Sequence, residues 1–295
     1  MSSLLTNTSA MTALAALTMT QHNLNTTESQ VATGLRIASA ADNASYWSIA
    51  TKMTSDVGAL GAVNDALSQS QSMVSTMTAA MQHSISVMDA IKNDLVTASN
   101  PSANLNAIQQ DISSQQKSLI SIGQSSTVNG QNFLETAGST VNLVASYDST
   151  NGVSFLAVDS TKTALFNATT GATSGILGIT GAAFTTASIL TLDVSGTTIT
   201  AGDIKNMLTD VQTAISSMTT AASLLGSTTT NLTTQQNYVS NLSDSLTTGV
   251  GSLVDANMNE AATKLAALQV QQQLGIQALS ISNSNTQLIL KLFGL

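Results

Sequence analysis

The feature that most narrows what this chain can fold into is the absence of charge near both of its ends. No Asp, Glu, Lys or Arg occurs from Met1 to Thr27, and none from Leu265 to Leu290. Both stretches still repeat apolar residues at helical spacing. Leu14, Leu17, Gln21, Leu24, Glu28, Val31 and Leu35 step by three and four in the first. Met258, Ala261, Leu265, Leu268, Gln272, Gly275, Leu279 and Ser282 do so in the last. A surface helix ordinarily turns a charged face to water. Two helices without one are expected to pack on each other and on copies of themselves, which points to a polymer-forming structural protein.

Composition closes off several alternatives. Only 8% of the 295 residues are charged, the net charge is −8, and Arg36 is the single arginine. Nucleic-acid binding needs clustered Lys and Arg to neutralise phosphates, and eight scattered basic residues do not supply that. The chain has no cysteine, so it has neither a disulfide framework nor a thiolate metal site. No apolar run reaches the roughly 18 residues of a transmembrane helix, so no membrane insertion is expected. The first residues lack a basic head, and any export is expected to proceed without a cleaved signal peptide.

Between the ends the pattern changes three times. After Gly34 the stretch from Ala38 to Asn43 is small and polar and reads as a joint. Leu60, Val63, Leu67, Ser70, Val74, Met77, Met81, Ser84, Met88, Ile91 and Leu95 then hold the three-four alternation until Pro101 stops the helix. A shorter helix follows on Leu105, Ile108, Ile112, Gln115, Leu119 and Ile122. From about 127 to 200 the texture is Thr- and Gly-rich. Val141, Leu143 and Ala145 alternate with polar residues, as do Val153, Phe155 and Ala157, and Asp148 to Gly152 reads as a hairpin loop. A second long seam runs from Ile204 to Leu246, and Gly249 and Gly251 are expected to interrupt it.

This order is nearly palindromic about the insert. The expected fold is mainly α: an elongated antiparallel helical bundle or coiled coil with a small β-hairpin insert, 1–33 pairing with 254–295 and 44–126 with 202–248. The expected domains are a terminal-helix part (1–43 plus 250–295), a bundle part (44–140 plus 200–249) and an outer insert (141–199).

Specific segments also carry a family resemblance. The run Gln30-Val31-Ala32-Thr33-Gly34-Leu35-Arg36-Ile37-Ala38-Ser39-Ala40-Ala41-Asp42-Asn43-Ala44 resembles the N-terminal signature of bacterial flagellins. Thr127 to Leu134 is similar to the segment in which those proteins leave the second helix for a hairpin. Asp255 to Ala261, Gln271 to Leu279 and Leu288 to Leu295 resemble their C-terminal helix and tail, and Ala44 to Ala50 looks like alphaproteobacterial members. The resemblance implies a flagellar filament subunit for swimming motility, located outside the cell. Its implied partners are copies of itself, the flagellar export apparatus with a chaperone, and the filament cap and hook-junction proteins. A middle segment this short implies a short member. Absent charge would ease passage of an unfolded chain through a narrow conduit, and absent cysteines would avoid crosslinks on the way. A junction protein of the same apparatus and a host-directed translocator or adhesin are the rival readings.

The residues expected to carry assembly are Leu14, Leu17, Leu24, Val31, Leu35, Arg36, Leu265, Leu268, Leu279 and Leu288. Arg36 beside Asp42 is read either as half of an inter-subunit pair or as solvated. Tyr46 and Trp47 are expected to pack at the base of the bundle, and Met73, Met77, Met81 and Met88 to fill its core. Gly275 reads either as a close approach between helices or as local slack. Ser149, Thr150, Thr161, Thr163, Thr169, Thr170, Thr185 and Thr186 are expected to face outward as candidate O-glycosylation acceptors. Nothing points to an enzyme or a cofactor. There is no H-E-x-x-H, P-loop or G-x-S-x-G, the glutamates Glu28, Glu135 and Glu260 are dispersed, and His22 and His83 have no clustered carboxylate to make a metal site.

Overall fold

A computed structural model describes residues 7–128, 130–132, 134–135, 140–167, 175–178, 188–196 and 199–292, with side chains in the last helix described to residue 284. Among these residues are five α-helices and one hairpin: α1 (Thr8–Thr33), α2 (Ala44–Ala98), α3 (Leu105–Ser125), β1 (Thr140–Asp148), β2 (Gly152–Asp159), α4 (Ala201–Val254) and α5 (Met258–Leu292). They form two compact units, 1–57 with 244–295 and 58–243, and α2 and α4 contribute to both.

In the first unit α1 is opened by Asn7, whose side chain accepts from the Ala10 N–H. It is closed by Gly34 at φ 72°, in the left-handed conformation that glycine adopts without strain, with the Gly34 N–H donating to the Gln30 carbonyl. The chain then runs beside the end of α4. The N–H groups of Arg36 and Ile37 donate to the Val254 carbonyl (2.7 and 3.2 Å), and that of Ala256 donates to the Gly34 carbonyl (2.8 Å). Ile37, Ala50 and Val254 are buried together, with Leu35, Val250 and Leu253 packed around them. Asn43 caps α2 by accepting from the Ser45 and Tyr46 N–H groups.

The expected interruption at Gly249 and Gly251 does not occur, and α4 runs on to Val254. A Cβ on Gly249 would lie 2.8 Å from the methyl carbon of Met53, so the missing side chain admits that methionine. The contact offsets the roughly 1 kcal/mol that an interior glycine costs a helix.

In the second unit all eleven seam residues of α2 from Leu60 to Leu95 are buried. Val211, Ile215, Met218, Leu225, Leu232 and Val239 of α4 are buried with them. The two helices are antiparallel here: Gln71 Nε2 donates to Thr233 Oγ1 (3.1 Å) and Gln236 Nε2 to Ser68 Oγ (2.8 Å). The helix α3 returns alongside α2, with Gln115 Nε2 donating to Asp94 (2.8 Å). Its buried stripe is Ile112, Gln116, Leu119 and Gly123.

The hairpin pairs Asp148 with Gly152 and Thr140 with Asp159, with a bulge between Val144 and Ser146. Cross-strand partners share a face, so Leu143 with Leu156 and Val141 with Val158 look inward. The alternating set Val153, Phe155 and Ala157 faces out. Beyond β2, Phe166 and residues 188–194 dock on α3, while 176–178 bond to 164–165 and 188–189. Gln116 Nε2 donates to the carbonyls of Ile189 and Leu192 (2.9 Å each), and Gln109 accepts from the Val194 N–H (2.7 Å). Phe166 is buried over Gly123, where a Cβ would come within 2.5 Å of its ring.

Candidate assembly surface

The two terminal helices pair with each other along the expected seam. Asn7 Nδ2 donates to the Ser282 carbonyl (3.1 Å), Gln272 Nε2 donates to Gln21 Oε1, and Leu35 bridges Asp255 in antiparallel sense. Midway, a Cβ on Gly275 would sit 3.2 Å from Leu17 Cδ1. Gly275 therefore marks a close approach between helices rather than slack.

Leu24 and Leu268 are buried in this pairing, and Leu17, Val31, Leu35, Leu265 and Leu279 are half-buried. Leu14 and Arg36 are exposed, and the Leu288 side chain lies outside the described residues. The seam thus consumes most of the residues that periodicity singles out. What it leaves in the open is a different apolar set: Met11 and Met19 on α1 with Leu14, and Val270, Leu274, Ile276 and Ile281 on α5. Sequence reasoning missed these because it followed one stripe per helix. Val270, Leu274 and Ile281, spaced by four and seven, form a second stripe.

Local hydrogen bonding explains how uncharged helices hold together. The Thr12, Thr18, Thr20, Thr26, Thr27 and Thr33 hydroxyls each donate to the carbonyl four residues earlier, at 2.8 to 3.0 Å. Their donors are used within α1. The described cross-helix bonds of this pair come mainly from amides, with the Ser282 hydroxyl donating to Asn7 Oδ1 at 3.4 Å. A face of donated Thr hydroxyls and aliphatic carbon carries little desolvation cost, so it can be covered by another protein surface.

At the joint Arg36 and Asp42 each take partners within the subunit. Arg36 Nη2 donates to the Leu253 carbonyl at 2.8 Å, at the end of α4. Asp42 instead accepts from the Ala38 N–H and from both the N–H and the hydroxyl of Ser39. These bonds, chiefly the Ser39 N–H, hold its carboxyl below the ordinary carboxylate range. Tyr46 and Trp47 do not pack at the base of the bundle: both are exposed on the first turn of α2, as is Ile49. The helix is capped there before any element covers that turn.

In the hairpin Ser149 and Thr150 occupy the exposed turn, and Thr161 is exposed beyond β2. Thr163 faces inward and is fully buried beside Ala164 and Leu165, so it is not an outward-facing acceptor. Thr169, Thr170, Thr185 and Thr186 lie outside the described residues. No helix among the described residues is long and apolar enough to cross a membrane.

Comparison with known proteins decides what such a molecule is. The family model for the bacterial flagellin N-terminal helical region matches residues 4–139, and that for the bacterial flagellin C-terminal helical region matches residues 208–293. The chain belongs to the bacterial flagellin family. It is 39% identical to flagellin C of Rhizobium meliloti and 41% identical to a flagellin of Brucella melitensis, each time over 99% of both chains. It is 32% identical to flagellin FljO of Caulobacter vibrioides, again over 99% of both. All three organisms are alphaproteobacteria. As a flagellin it is a structural protein rather than an enzyme, a subunit of the extracellular filament that serves motility.

Proposed function

We propose that the apolar residues left bare by the α1/α5 pairing are the surface through which copies of this flagellin hold one another in the filament. The observation that carries this is the second stripe of α5: Val270, Leu274 and Ile281 are 55%, 57% and 62% exposed although the first stripe is already covered by α1. Covering the exposed half or so of one such side chain contributes on the order of 1 kcal/mol. Seven of them, repeated at every contact, offset a cost of association on the order of 4–15 kcal/mol. On this reading 1–43 with 250–295 forms the filament core, 44–140 with 200–249 the bundle outside it, and 141–199 the outer insert. The bare faces also give an export chaperone something to hold before the flagellar export apparatus takes the chain, and give the cap and hook-junction proteins a matching surface at the filament ends.

The test is seeded elongation with Val270→Asp and Leu274→Asp together. A carboxylate buried without a partner is costly. The critical concentration should rise at least about a hundredfold, equivalent to roughly 2.7 kcal/mol. Helix content by circular dichroism should stay unchanged, because the seam toward α1 is untouched. Normal elongation of this variant, or of subunits lacking 1–25, would refute the reading.

Ser149 and Thr150, exposed in the hairpin turn, are the described residues best placed to accept an O-linked sugar. Intact mass of filament-derived subunits should exceed that of the bare sequence, with the excess mapping to the peptide that contains this turn. A mass equal to that of the sequence rules the modification out.

A further inference from the structure

We infer that Met11 and Met19 are oxidation sites, and that their conversion to sulfoxide by a peroxide-class oxidant stops a free subunit from assembling. The consequence for assembly rests on the surface proposed above; the site assignment rests on exposure alone.

Met19 is 68% and Met11 64% exposed on α1, and Met258, at the start of α5, is 43% exposed. By contrast Met77, Met81, Met88, Met207 and Met218 have no exposed surface, and Met73 is buried. Thioether oxidation requires the oxidant to reach sulfur, so reactivity should follow this order. In the reaction the sulfur lone pair attacks one peroxide oxygen and the S–O bond forms as the O–O bond breaks. The second oxygen leaves as water, carrying the proton of the first. Sulfur loses two electrons and the peroxide gains them.

The product is the wrong surface for this place. A sulfoxide oxygen is a strong acceptor with no donor of its own, so a contact that covers it must also satisfy it. The Thr12, Thr18 and Thr20 hydroxyls already donate to their own helix. No Lys or Arg lies on α1, and His22 is the basic side chain one turn beyond Met19. Buried methionines of the second unit lie beyond the oxidant's reach, so the bundle should survive treatment that disables the terminal helices.

The experiment treats full-length free subunits with hydrogen peroxide, maps each methionine by peptide mass, and measures elongation on untreated seeds. Sulfoxide should accumulate at Met11 and Met19 before Met258, with the buried six unmodified, and elongation should fall about tenfold or more. Methionine sulfoxide reductases should restore it. The double variant Met11→Leu/Met19→Leu should elongate equally before and after peroxide. Three results overturn the inference: buried methionines reacting as fast as Met11 and Met19, unimpaired elongation of subunits oxidised at both, or no recovery after both are reduced. If untreated wild-type subunits fail to elongate, the assembly surface is at fault. The peptide map still decides the oxidation sites.

Discussion

At the scale of single residues, aspartate turns do much of the work that charge pairs do in other proteins. Asp42, Asp148, Asp159, Asp193 and Asp203 each accept from a Ser, Thr or Asn within three residues. All five carboxyls are lowered from an ordinary value of 3.8, chiefly by the backbone N–H groups of Ser39, Thr150 and Thr200 for Asp42, Asp148 and Asp203, and by the hydroxyls of Thr161 and Ser195 for Asp159 and Asp193. A carboxylate with a depressed folded-state pKa stabilises the fold above its unfolded value, and that contribution is lost as pH falls through the folded one. For Asp42 the consequence is local to the joint between α1 and α2. Asp42→Ala should lower the melting temperature by a few degrees at pH 7, and the gap to wild type should close as pH falls below the ordinary carboxylate value of 3.8. A gap that stays constant with pH would mean that the carboxylate bonds to Ser39 and Ala38 contribute nothing.

At the scale of elements, the docking of Phe166 on α3 depends on a side chain that is not there. With a Cβ 2.5 Å from the Phe166 ring, Gly123→Ala should destabilise the second unit by about 1–3 kcal/mol despite alanine's better helix propensity, measured as a drop in urea midpoint. A stabilised variant would show that Phe166 moves aside freely. Sequence periodicity reveals most of the elements: the α2 seam from Leu60 to Leu95 is buried throughout, and Asp148 to Gly152 is the hairpin turn. It fails where a residue's role depends on a partner far along the chain. Gly249 reads as a breaker until Met53 is placed over it, and Thr163 reads as solvent-facing until the bond from the Leu165 N–H to the Leu134 carbonyl draws its segment inward. On β2 the alternation of Val153, Phe155 and Ala157 mimics an inward face, but the pairing of Leu143 with Leu156 and Val141 with Val158 settles the sheet the other way. The exposed apolar faces of the terminal helices were half legible for the same reason. The heptad rule finds the stripe that pairs α1 with α5, whereas the stripe left over becomes visible only after that pairing is drawn.

At the scale of the whole molecule, the terminal helices cover one apolar seam each and six Thr hydroxyls of α1 donate locally, yet Met11, Leu14, Met19, Val270, Leu274, Ile276 and Ile281 stay in water. That much exposed aliphatic surface has no evident use on a stand-alone protein, and under the proposed assembly further copies of the chain cover it. The two apolar stripes of α5 divide the labour. One joins α1 and α5 within a subunit, and the other is the stripe proposed to join subunits. Hydroxyl-radical footprinting of free subunits against assembled filaments tests this most directly, because it reads side-chain access residue by residue. The account predicts that Leu14, Leu274 and Ile281 label strongly in the subunit and become protected in the filament, while Leu24 and Leu268 are protected in both. Equal labelling of Leu14, Leu274 and Ile281 in the two states would contradict it.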